Sequence, residues 1–215
     1  MPRIGIARCS EVSKFMIGIK GATTLLILAF LARPAAAQDN ARERADRIFI
    51  PAGQAMLKID RADKIPRKLR AAMDAGCNYQ KWLADYPLRI FRPDQNDTRM
   101  IALAPCGHSV LDGAAFLVSR WGDAQPIGFV VVSYPQGFTS AAIPGYLDWD
   151  EDSRMLTATR GTDMCPDREV RHIYRYRPGD FPFTLHRVEY RPKTCGLEEG
   201  PWRLFWEAPD WKEPN

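Results

Sequence analysis

The segment from Glu169 to Arg191, EVRHIYRYRPGDFPFTLHRVEYR, constrains the fold more than any other part of the chain. Val170, His172, Tyr174 and Tyr176 alternate with Arg171, Ile173, Arg175 and Arg177, a period of two that suits a strand and not a helix. Pro178, Gly179 and Asp180 supply a turn, and a second strand-like run follows, so the segment predicts an antiparallel hairpin. Cys165 lies just before the first strand and Cys195 just after the second, at ends that antiparallel pairing brings together. A disulfide staple is therefore the reading adopted for RGTDMC. A reactive thiol at Cys165 would instead need exposure and a depressed pKa.

The same period recurs upstream. YPLRIFRP, RMIALAPC, AAFLVSRW and PIGFVVVSYP are of strand length, with GDAQ read as a turn between the last two. GYLDW and RMLTATR flank DEDS as a further hairpin, and PWRLFWEAPDW ends the series with Trp202, Leu204 and Trp206 expected on one face. One earlier stretch has helical spacing: in IPRKLRAAMDAGC, Pro66 suits a first turn, Leu69, Ala72 and Met73 recur at three to four residues, and Gly76 can end it. The expected fold is mainly β, α+β at most: an antiparallel meander with a small helical N-terminal segment, stapled by disulfides.

The first 37 residues read as a cleaved signal peptide. Arg3, Arg8, Lys14 and Lys20 form a basic flank, GATTLLILAFLA is an apolar run of about a dozen residues, and Ala35 and Ala37 fit the small-residue rule for cleavage before Gln38. A start at Met16 would shorten this leader and omit Cys9. The run is shorter than the roughly 20 residues of a membrane-spanning helix, so the expected product is periplasmic or secreted, one globular domain over 38–215 with no membrane span once the leader is removed. The whole chain has 30 basic and 26 acidic residues; subtracting five basic and one acidic in the leader leaves 25 of each. A neutral domain lacks the cationic footprint of a nucleic-acid binder.

Four cysteines remain after the leader: Cys77, Cys106, Cys165 and Cys195. An even number in an exported chain reads as two disulfides, with three pairings open. Cys77–Cys106 and Cys165–Cys195 are favoured because each pair brackets one contiguous block. Closing a loop of about 30 residues contributes roughly 3–4 kcal/mol in the chain-entropy picture.

LAPCGHSVLDGAAFLV, LTATRGTDMCPDREVRHIYRYRPGDFPFTLHRVEYRPKTC and the final GPWRLFWEA together resemble a bacterial periplasmic family known as domain of unknown function family 1176. The corresponding positions are Pro105 and Cys106, Gly113 to Phe116, Arg160, Gly161, Asp163, Cys165, Cys195 and Trp202. His108 stands where that family's pattern has a Trp or Tyr, and Met164 intervenes between Asp163 and Cys165. The resemblance covers about the second half of the chain. It implies an exported, β-rich fold and carries no activity with it.

No spacing specifies a reaction, a cofactor or a metal. His108, Ser109 and Asp112 offer the residue types of a hydrolase, but neighbours on a strand point apart and the serine lacks a nucleophile elbow. His172 and His186 fall on the two strands of the hairpin as a conceivable two-ligand metal face. Asp148, Asp150 and Asp152 alternate as in calcium loops, yet the glycine and distal glutamate of an EF-hand are missing.

The aromatic and arginine content of the second half is the remaining functional signal. Trp149, Arg160, Tyr174, Arg175, Tyr176 and Trp202 are expected to contribute to an exposed binding surface, with Arg171 and Arg177 as flanking cations. The function expected is a non-catalytic binding or envelope-associated module whose partner is a protein, a peptide or a glycan. The alternatives are the hydrolase and an inhibitor or structural protein acting through the hairpin between Cys165 and Cys195. Intact mass spectrometry of the exported chain should give a polypeptide beginning at Gln38, lighter by about four hydrogens and resistant to thiol alkylation. Two alkylated cysteines would reinstate the reactive-thiol reading of Cys165.

Overall fold

The computed structural model describes residue 44 and residues 46–107, 112–133, 137–160, 168–192 and 200–209. Residues from Ala41 onward cluster as one compact unit. The fold is mainly β, as the alternating segments predict, but the single long meander is divided into two five-stranded sheets and a two-stranded ribbon.

The first sheet runs β1 (Met56–Ile59), β2 (Leu88–Phe91), β3 (Met100–Pro105), β4 (Gly113–Val118) and β5 (Ala124–Pro126), each strand antiparallel to the next. β6 (Phe129–Ser133) and β7 (Gly137–Ala141) form a separate two-stranded ribbon. The second sheet runs β8 (Tyr146–Asp150), β9 (Met155–Arg160), β10 (Arg168–Tyr176), β11 (Phe183–Pro192) and β12 (Arg203–Glu207). The GDAQ turn is corrected: Ala124 and Gln125 belong to β5, because a strand of three residues fits between the turn after Ser119 and the entry to β6.

Two hydrophobic layers account for this arrangement. On one side of the first sheet lie Leu88, Ile90, Met100, Ala102, Phe116 and Val118, packed against Leu69 and Met73 of helix α1 (Arg67–Asp74) and against Tyr79 and Leu83. On the other side Phe91, Ile101, Leu103 and Ala115 meet Leu156, Ala158, Tyr174 and Phe183 of the second sheet, with Phe129 and Val131 of β6 filling in. The first sheet is thus covered on both faces. This explains why every residue of β3 is buried and why its sequence, MIALAP, is apolar throughout instead of alternating.

Helix α1 follows the predicted spacing, with Leu69 and Met73 on its buried side. Its capping partner is not local. Pro66 at the N-cap position has no side-chain acceptor, so Asp46 supplies one: Oδ1 accepts the Arg67 backbone N–H at 2.7 Å, and Oδ2 pairs with the Arg67 guanidinium at 3.3 Å. Cys77, beyond the C-terminal end of the helix, is disulfide-bonded to Cys106 at the end of β3, with Cα atoms 4.7 Å apart. The first expected pairing is therefore present. Cys165 and Cys195 lie outside the described residues.

Just before β8, an isolated bridge joins the chain to the first sheet: the Gly113 N–H donates to the Gly145 carbonyl at 2.8 Å. A Cβ on Gly145 would fall 2.4 Å from the Thr159 carbonyl oxygen, and its φ of +132° already disfavours a side chain. Arg89 of β2 reaches the same region, donating to the Leu147 carbonyl and, at 3.3 Å, to Asp148 Oδ1.

Replacing Asp46 by Ala should lower the unfolding free energy by about 1–2 kcal/mol, the usual worth of an N-cap, with Asp46→Asn retaining part of it because the amide oxygen still accepts from Arg67 N–H. Urea denaturation of the two variants measures the difference; equal losses would show that the ion pair, not the cap, is what matters.

Candidate functional site

The hairpin of β10 and β11 keeps the predicted alternation. Val170 pairs with Tyr190, His172 with Val188, Tyr174 with Leu185 and Tyr176 with Phe183 on the inner face. Glu169 pairs with Arg191, Arg171 with Glu189, Ile173 with Arg187 and Arg175 with Thr184 on the outer face. His186 is the extra residue of a bulge in β11.

The inner face is core, which corrects part of the expected binding surface. Tyr174 is fully buried, its ring in edge contact with Phe129 and its hydroxyl donating to the Val130 carbonyl at 2.9 Å. Tyr176 is buried against Trp149 and Phe183 and donates to Asp97 Oδ2 at 2.9 Å. Trp149 stacks on Phe91 with ring centroids 4.8 Å apart. Tyr174 and Tyr176 cannot form an exposed platform, and Trp149 is half-buried against the same cluster. Alternation defines two faces of a strand without saying which will be covered, and the first sheet and β6 cover this one.

His172 and His186 do not meet as a metal pair. His172 is buried on the inner face, where Nε2 accepts the Val132 backbone N–H at 2.9 Å, while His186 occupies the bulge. Tyr174 and His172 together close the edge of β6 that β7 leaves unpaired, doing with side chains what another strand would do with its backbone. Burial, supported by the charge of Arg160, holds His172 at about 4, down from its ordinary 6.5. Arg160 itself is exposed at the end of β9. Burial likewise raises the Tyr174 phenol, and burial together with Asp97 raises that of Tyr176.

The outer face is polar and built from arginine, glutamate and tryptophan. Arg171 pairs with Glu189 through Nε, Arg187 bridges Glu189 at 3.4 Å and Glu207 at 2.9 Å, and Arg191 Nε donates to Glu169 Oε2 at 2.6 Å. The carboxylate side chains of Glu169 and Glu189 are only 11% and 10% exposed, so these are well-shielded, matched charges. Trp202 lies against them, with Arg171 Cζ 4.2 Å and Arg191 Cζ 4.6 Å from its ring centroid. Of the six residues expected on a binding surface, Trp202, Arg175 and Arg160 are outside the core.

β12 departs from its expected alternation. Leu204 pairs with Glu189 and Trp206 with Val188, successive residues of β11 that face opposite ways, because Phe205 is an extra residue in the strand. Trp202, Leu204 and Trp206 therefore do not share a face. Trp206 contacts Phe138 of β7, ring centroids 5.3 Å apart. Arg191, whose pairing with Trp202 no local pattern announces, was missed by sequence reasoning; only cross-strand register could have found it.

Beyond this face, His108 and Ser109 lie outside the described residues, and Asp112 closes the loop after β3 through its carbonyl, which accepts the Cys106 N–H at 2.6 Å. Asp150 Oδ1 accepts the backbone N–H groups of Asp152 and Ser153 at 3.0 and 3.3 Å, which makes the acidic tip of β8 and β9 a self-capped turn. Among the described residues, no three His, Cys, Asp or Glu side chains converge as a metal site, and no helix is long and apolar enough to cross a membrane. No family model, curated protein or solved structure matches the chain.

The His172 imidazole gives the fold a pH dependence of definite sign. It is neutral when folded and ordinary when unfolded, so unfolding takes up a proton between pH 6.5 and about 4. Stability should be full above 6.5 and fall through that window by roughly 3 kcal/mol at most. Urea midpoints at pH 7 and 4.5 should show the decline, and His172→Gln, whose amide oxygen can accept from Val132, should flatten it. An equal decline in the variant would assign the effect to other groups.

Proposed function

We propose that the protein is an exported, non-catalytic binding module of the bacterial envelope, with the outer face of the second sheet as its recognition surface, and that it is related to domain of unknown function family 1176. The observation that carries the binding reading is the pairing of Trp202 with two arginines over shielded glutamates. Tryptophan and arginine are the side chains that most often anchor interfaces. Here both are held in place before any partner arrives, which reduces the ordering cost of binding. The apolar leader and the Ala35 to Ala37 cleavage pattern support export, and the oxidised Cys77–Cys106 pair agrees with an oxidising compartment.

The ligand class follows from the lining: a glycan or peptide that presents a flat or apolar surface to Trp202 and acceptors to the neighbouring guanidinium groups. Glycan and peptide arrays probed with the exported chain should yield a ligand series, and Trp202→Ala should weaken it by about tenfold or more. An unfolding midpoint measured on the same variant separates loss of the surface from loss of the fold. A stable Trp202→Ala protein that binds the same series unchanged would overturn the reading.

A further inference from the structure

The outer face of the second sheet is not uniformly neutral. Where β10 ends, Arg175 and Arg177 project from alternate positions of one chain segment, about 7 Å apart along a strand. Neither has an ion pair among the described residues. Carboxylates of the adjoining turn and of β12 are engaged elsewhere: Asp180, in the turn, faces Arg99 at 3.8 Å, and Glu207, on β12, is held by Arg187 at 2.9 Å.

Arginines beside other cavities behave differently. Arg89, in a cleft with Tyr86 and Tyr146, is committed to the Leu147 carbonyl and Asp148. Arg99, in a cleft beside Ala71 and Gln125, is committed to Asp97 and the Gly179 carbonyl. Arg175 and Arg177 line a cavity of about 340 Å³ together with Thr184, His186, Trp206 and Pro209, and no carboxylate among the described residues lines it. That volume is at the lower end for small-molecule sites and suits one ring.

From this cavity we infer a binding site for a small anionic saccharide, a single sugar ring bearing a carboxylate or phosphate group. Two guanidinium groups at this separation can both reach one such group, and each fork matches its oxygens in a bidentate way. Thr184 and His186 add polar side chains to the same wall, while Pro209 and Leu185 give it an apolar portion. The bulge at His186 is what opens the wall: it breaks the β10–β11 register, and the Ala208 N–H pairs with the His186 carbonyl at 2.8 Å where β12 has already ended. The bound anion would neutralise a pair of like charges that have no ion pair among the described residues. This site rests on the binding reading above and names the chemistry of one end of that surface.

The test uses the full exported chain and follows arginine Nε–Hε signals by NMR during titration with glucuronate, glucose 6-phosphate and glucose. The signals of Arg175 and Arg177, assigned from the Arg175→Gln and Arg177→Gln variants, should move with both charged sugars, and glucose should need at least about tenfold more. The double variant should lose roughly tenfold or more in affinity for the charged sugars while its unfolding midpoint stays close to that of the parent. Equal responses to glucose and the charged sugars, or unchanged binding in the double variant, would overturn the assignment. If Trp202→Ala abolishes array binding while this cavity stays silent, the cavity is wrong and the surface stands. Silence in both experiments removes both.

Discussion

Everything in this fold depends on the burial of the first sheet on both faces. A sheet covered once can alternate apolar and polar residues; one covered twice needs apolar side chains in both directions and something to occupy each side. β3 shows the demand most plainly, with Met100, Ala102 and Ala104 turned to the helix layer and Ile101 and Leu103 to the second sheet. Helix α1 satisfies one side and the aromatic face of the second sheet the other. The Cys77–Cys106 bridge then ties the helix layer to the end of the same central strand.

Layers joined only by apolar contact can slide, so the polar links between them matter for uniqueness as much as for stability. Asp97 Oδ1 accepts the backbone N–H and Nε of Arg99 at 2.9 and 3.1 Å, and its Oδ2 accepts the Tyr176 hydroxyl at 2.9 Å. Arg99 in turn donates to the Gly179 carbonyl at 3.0 Å, which connects the loop between β2 and β3 to the turn between β10 and β11. Although burial pushes the Asp97 carboxyl up, the hydrogen bonds from Arg99 and Tyr176 hold it below its ordinary value. Tyr174 and His172 do the equivalent for β6. Each link is directional, so each selects one register between layers that shape alone would leave open.

The same hairpin that supplies the core aromatics carries the candidate surface on its other side, and the division of labour follows charge. Towards Trp202, arginines and glutamates are matched and shielded; towards the turn, Arg175 and Arg177 have no ion pair among the described residues. The strands and hairpins from Leu88 onward could be read from alternation and turn residues, and so could α1 from its spacing, because these signals are local. β1, β5 and β7 could not: MLKI and AQP are too short to show a period, and GFTSA is exposed along almost its whole length and carries little hydrophobic contrast. Of the candidate surface, Trp202 and Arg175 were legible as residues. The inward direction of Tyr174, Tyr176 and Trp149 was not, since both faces of β10 carry large side chains and pattern does not say which face another layer will cover.

By itself the sequence determined the class of fold and the position of the β10–β11 hairpin, and it favoured Cys77 with Cys106 among three open pairings, because periodicity, turn residues and spacing act within reach of neighbouring residues. The tertiary structure decided that the meander splits into two five-stranded sheets and a ribbon, that Asp46 caps a helix beginning 21 residues later, and that bulges at His186 and Phe205 reorient the end of the second sheet. Those features arise from contacts between segments distant in the chain, where the free energy of covering an apolar face or satisfying a buried polar group depends on what arrives from elsewhere.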